Sequence, residues 1–143
     1  MNRLKIFFLF TAMVVGGGML RAQSSEVALI ENDGRFALFS VQASANKESE
    51  VSTVALRTLF QTLLENGVEG FMNGSPLEQK PNAKWKSNFL KEKNPPYMSY
   101  VKGYQTEGDP IKNNVGSYVA TVLVRVNVEF LIRQLKNYGV MNK

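Results

Sequence analysis

The chain has 143 residues, 17 of them basic and 12 acidic, a formal net charge of +5, and neither Cys nor His. Without Cys there is no disulfide and no cysteine for lipid attachment, and without His the usual Ser-His, Cys-His and imidazole–zinc constellations cannot be assembled. These absences set the expectation of a non-enzymatic protein held together by its core, and no catalytic, cofactor-binding or metal-binding residue is assigned.

The first segment reads as a secretory leader. Arg3 and Lys5 form a positive start, Ile6 to Leu20 an apolar run, and Arg21-Ala22-Gln23 a junction with a small residue, so cleavage is expected after Ala22. Leu20 is larger than the residue usually found three positions before the cut. The run is short of the roughly 20 apolar residues a spanning helix needs and contains Gly16, Gly17 and Gly18, so a retained anchor is not expected. The expectation is a signal peptide over 1–22 and a single domain over 23–143, located in the periplasm or outside the cell. Of the 17 basic residues, Arg3, Lys5 and Arg21 leave with the leader, and the remaining 14 face 12 acidic ones, a balance of +2. So small a charge argues against a nucleic-acid partner.

Residues 23–33 are polar and mixed; Val27 to Ile30 are compatible with an edge strand, and the segment is left unassigned. After Gly34, the run from Arg35 to Ala43 reads as a strand with Ala37, Phe39, Val41 and Ala43 on one face. Ser44, Asn46 and Ser49 offer caps for a helix over Lys47–Asn66, ended by Gly67, whose apolar residues Val51, Val54, Ala55, Leu56, Leu59, Phe60, Leu63 and Leu64 recur at helical spacing. Gly67 to Pro81 reads as a loop and Asn82 to Lys93 as a short helix stopped by Pro95 and Pro96. Tyr97 to Thr106 is expected to be an aromatic strand, with Glu107-Gly108-Asp109-Pro110 and Asn113-Asn114 forming a roomy hairpin connection. Ser117 to Val128 alternates, with Tyr118, Ala120, Val122, Val124, Val126 and Val128 on one face. Val119, Thr121, Leu123, Arg125 and Asn127 share a second, largely wet face. Glu129 to Tyr138 closes the chain as a helix capped near Asn127 and ended by Gly139, with Phe130, Leu131, Leu135 and Tyr138 available for burial. The order strand-helix-strand-strand-helix predicts an α+β fold: a two-layer sandwich with a mainly antiparallel sheet and helices on one face.

Between residues 80 and 102 six lysines oppose Glu92 alone, and rings lie among them. Lys84, Trp85, Lys86, Lys91, Lys93, Tyr97 and Tyr100 form a candidate patch for a polyanion or other partner, through phosphate contacts and stacking, set against the plain reading of a solvated loop whose rings fill the core. In an exported protein such a patch would meet an envelope protein or an anionic glycan or lipid before nucleic acid. The carboxylates suggest little chemistry. Glu48 and Glu50 suit a helix start, Glu107 and Asp109 lie in a turn, and Glu31, Asp33, Glu107 and Asp109 lack the spacing of a calcium loop. Asn73-Gly74-Ser75 has the form of a glycosylation acceptor.

The stretch VSTVALRTLFQTLLENGVEGF and the later YVATVLVRVNVEFLIRQLKNYGV, within residues 35–140, resemble small exported proteins of the Bacteroidetes of unassigned function. More distantly they resemble the N-terminal α+β domain of flagellar assembly protein T and the related envelope proteins. The shared pattern is a strand, a long helix ending near Val-x-Gly, an aromatic strand and a strand of alternating valines. The resemblance implies an accessory or scaffolding role in the envelope and transfers no catalytic residue. Lacking a lipid-attachment Cys and a second domain, the chain inherits neither lipoprotein anchoring nor a flagellar role. The first expectation is thus an exported interaction module of the envelope; the alternative is a small ligand binder or hydrolase using carboxylates and tyrosines in a cleft.

Overall fold

Two strands that begin the fold are joined by Asn32-Asp33-Gly34-Arg35, a turn built by its own side chains. Asn32 Oδ1 accepts from the Gly34 N–H at 2.9 Å, and Asp33 Oδ1 accepts from those of Phe36 and Arg35 at 2.8 and 2.9 Å. Those two donors, Phe36 first, hold the Asp33 carboxyl below its ordinary range. The structure, a computed structural model, describes residues 26–143; the expected leader and its cleavage point lie outside the described residues.

The turn joins β1 (Val27–Asn32) to β2 (Phe36–Ala45). With β3 (Val101–Lys112) and β4 (Tyr118–Asn127) they form a four-stranded open sheet in the order β1-β2-β4-β3, every neighbouring pair antiparallel. β2 and β4 pair without interruption from Phe36 opposite Asn127 to Ala45 opposite Tyr118. Alternation then sends Ala37, Phe39, Val41 and Ala43 of β2 and Val122, Val124 and Val126 of β4 to one face, where all are buried. The fold is α+β as the pattern of elements predicts. β1, left unassigned from sequence, is an edge strand.

Helix α1 (Val51–Glu65) lies on the buried face, chiefly against β2, and buries every residue of its expected stripe except Val54, which is half-buried. It begins four residues later than predicted. A short turn at Glu48–Glu50 leads into it, β2 runs on through Ser44 and Ala45, and no side chain caps its start; the acidic Glu48 and Glu50 sit there instead, favourable to the helix dipole. Its far end is as expected. The Gly67 N–H returns to the Thr62 carbonyl at 2.8 Å with φ of +83°, and a Cβ at that position would run into the Gly74 carbonyl oxygen. The loop beyond supplies donors to the last carbonyls: Leu77 N–H to Leu63 at 2.9 Å and Glu78 N–H to Leu64 at 3.0 Å.

Helix α2 (Ala83–Phe89) is capped by Asn82, whose Oδ1 accepts from the Trp85 N–H at 3.0 Å, and α3 (Val128–Asn137) by Asn127, which accepts from the Phe130 N–H at 3.0 Å. Past α3 the chain turns at Gly139, and the Val140 carbonyl takes the N–H groups of Gln79 and Lys80, tying the C-terminal turn to the loop below α1. Tyr138, expected in the core, is 57% exposed and only leans against Trp85.

The segment before β3 corrects the sequence reading. Tyr97 and Tyr100 are not strand residues. Pro96 presets φ for a helical turn, and Pro96–Tyr100 forms one that drives both rings inward. β3 starts at Val101 and passes through the expected loop to Lys112. Glu107 pairs with Thr121 and Ile111 with Val119, so Gly108, Asp109 and Pro110 are a bulge within the strand. A bulge accommodates both the positive φ of Gly108 and a proline without an N–H. The true connection is the tight turn at Asn113, whose Oδ1 accepts from Val115 and Ser117 N–H groups at 3.1 and 3.0 Å.

Candidate functional site

The candidate patch of the 80–102 segment divides in two when folded. Trp85 is half-buried and stacked on Phe89 (4.7 Å between ring centroids), Tyr97 is buried and stacked on Phe60 (4.8 Å), and Tyr100 is buried beside Phe130 (5.2 Å). Phe89 touches Trp85, Tyr97 and Tyr100, so the rings form one cluster beneath α1. Burial raises the pKa of both tyrosines. Tyr97 and Tyr100 thus offer no exposed face on which a base or sugar could stack.

The lysines part company as well. Lys86 folds inward and bridges Glu78 at 3.1 Å and Glu65 at 3.2 Å, joining α2 to the end of α1; the Glu78 bond first and the Glu65 bond second push its pKa up. Lys84, Lys91 and Lys93 are exposed and make no ion pair among the described residues. The structure brings Trp85, Lys86, Tyr97 and Tyr100 into the packed layer and leaves three cations outside.

A separate uncovered feature is the other face of the sheet. No helix packs there among the described residues, and the cross-strand register fixes what it presents. One row runs Leu38, Arg125, Gly103; the next, Ser40, Leu123, Gln105; the third, Gln42, Thr121, Glu107. Leu38, Val119, Thr121 and Leu123 are half-buried along its middle. The two ends carry opposite charge. At one, Lys102 reaches over the Phe36 ring (5.7 Å), while Arg125 meets Glu31 at 3.8 Å, and Lys102, Tyr104, Arg125, Leu38 and Leu123 line a shallow hollow of about 520 Å³. At the other, Glu26, Glu107 and Asp109 line a hollow of about 490 Å³ with Thr121, Val119 and Ile111, and none has an ion-pair partner among the described residues. Glu26, just before β1, and Glu107, on β3, stand at opposite edges of the sheet with β2 and β4 between them, so they flank the hollow and do not converge on one bond or one ion.

The wet face of β4 is legible in the alternation of Ser117–Val128. Its neighbours are not: β1 needs the Asn32-Asp33-Gly34 hairpin signal, and Glu107 and Asp109 join the face only because the bulge keeps them in a strand. No family model, curated protein or solved structure matches the chain. Its function must therefore be argued from these residues.

Proposed function

We propose that this protein is exported and serves, without catalysis, as an interaction module that holds a partner protein of the cell envelope on the open face of its sheet. The observation that carries the reading is the row of half-buried Leu38, Leu123, Thr121 and Val119 lying uncovered between a basic and an acidic end. An apolar centre with a charged rim suits a protein surface, and opposite signs at the ends favour one orientation of the partner. A polyanionic glycan or lipid surface would be repelled from the half that carries Glu26, Glu107 and Asp109. Export is supported by Arg3 and Lys5 followed by the apolar run Ile6 to Leu20, and the resemblance to exported envelope proteins belongs to the same proposal.

Site-specific photocrosslinking tests the face. A photoreactive side chain at Leu123, introduced into the protein in its own cells, should yield a discrete protein adduct, while the same probe at Lys84 on the helical side should not. Equal labelling from both positions, or none from Leu123, overturns the reading. Export is checked separately by sequencing the N-terminus of the envelope-associated protein, which should begin at or near Gln23; a retained leader in the cytosolic fraction argues against it.

A further inference from the structure

β3 is an edge strand whose far side pairs with nothing among the described residues, and along it Lys102, Gly103, Tyr104, Gln105 and Glu107 are exposed. Register breaks at Lys102 and at Gly108–Pro110 bracket a regular window, Gly103–Glu107, that still pairs cleanly with β4. We propose that this window is a self-association edge: two copies pair their β3 strands antiparallel about an axis at Gln105 and join two four-stranded sheets into one of eight strands. The pairing surface is the strand's backbone edge, whereas Lys102 and Glu107 also border the open face; cross-linking at Gln105 reports the edge alone, so its failure is distinguishable from failure of the proposed docking at Leu123.

Charge selects both the occupant and the register. With the axis at Gln105, each Glu107 lies opposite Gly103 of the other copy, beside its Lys102 and in the row of its Arg125. The acidic end of one sheet thereby approaches the basic end of the other, twice, with the Lys102 ammonium turning from the Phe36 ring toward the new carboxylate while Arg125 keeps Glu31. Gly103 leaves that approach open. Gly103 flanks the register break at Lys102, a usual place for a strand glycine, and a Cβ there would meet nothing within 4 Å, so the space beside it is free for a second chain. Tyr104 then faces Thr106 of the other copy, an aromatic–β-branched pair, and the Gln105 side chains face each other across the axis. The β1 edge lacks this complementarity. It is interrupted at Ile30, and its only charged residues, Glu26 and Glu31, are both acidic, so pairing with a second copy brings no opposite charge. Five paired residues per copy make a small interface, so the dimer is weak and reversible.

Because the chain has no Cys, single cysteines report the geometry directly. Across an antiparallel pair the Cα atoms at the axis are about 4.5–5.5 Å apart, within disulfide reach. The purified Gln105→Cys protein should therefore form a disulfide-linked dimer under mild oxidation at least about tenfold faster than the Glu31→Cys protein. In sedimentation velocity the unaltered protein should show concentration-dependent dimerisation. Glu107→Lys and Lys102→Glu should each weaken it by about tenfold, a shift of 1.4 kcal/mol. The double exchange Lys102→Glu with Glu107→Lys should restore it to within about threefold, because the pairing is reciprocal. A strictly monomeric protein at every concentration, equal cross-linking rates at Gln105 and Glu31, or a double exchange no better than the single ones would overturn the proposal.

Discussion

At Gly67 a single residue ends one element and admits the next. Its φ of +83° lies where side chains are disfavoured, and the Gly74 carbonyl occupies the place a Cβ would take. A Gly67→Ala protein must either strain the αL turn or push the loop away from α1, so a loss of more than about 2 kcal/mol is expected, read from the denaturant midpoint. By contrast Gly34→Ala meets no atom within 4 Å and should cost only the strain of its positive φ. Both glycines are visible in the sequence as punctuation. Which of them is crowded depends on a contact between residues 67 and 74 that no local pattern displays.

The ring-bearing segment owes its placement to the elements around it. α2 is a seven-residue helix that cannot persist alone, and it is held by its Asn82 cap, by Phe89 and Trp85 in the aromatic cluster, and by Lys86 between Glu65 and Glu78. The Lys86→Met protein removes the cation and leaves the mostly buried Glu78 carboxylate, one of whose oxygens already lacks a partner, without its ammonium. A loss of about 1–2 kcal/mol is expected, largely recovered when Glu78→Met is added, since an apolar pair of similar size needs no hydrogen bonds. The pH dependence follows from the direction of the shift. A lysine whose pKa is raised on folding contributes fully below its ordinary value and loses that contribution as pH rises through the raised one. The unaltered protein should thus lose stability at strongly alkaline pH more steeply than Lys86→Met, as thermal melts along a pH series would show.

For the molecule as a whole, the sheet divides the chain between a packed layer and an open one, and adjacent residues of β4 test that division. Val124 is fully buried under α1, whereas Leu123 faces the open side. Val124→Lys should abolish cooperative unfolding by placing an unpaired charge in the core. Leu123→Lys should change stability by about 1 kcal/mol or less, in line with strand propensities, while removing the crosslink to the partner. If both substitutions unfolded the protein, the open face would be structural and not a docking surface.

What the sequence determined by itself was whatever rests on short-range periodicity: the α1 stripe, the alternation of β2 and β4, the stop at Gly67, the cap at Asn127, and so the two-layer α+β arrangement. Helical and strand spacing express which face is apolar without reference to the rest of the chain. Only the tertiary structure decided that Tyr97 and Tyr100 turn inward, that Lys86 is spent on two carboxylates, and that Gly108–Pro110 interrupts a strand and does not end it. Each depends on partners distant in sequence: α1 above the rings, Glu65 and Glu78 around the lysine, and β4 resuming its pairing at Val119. The same cause explains why the two charged ends of the open face could not be read in advance. Glu26, Glu107 and Asp109 come from opposite edges of the sheet, and only the register across β2 and β4 places them in one hollow.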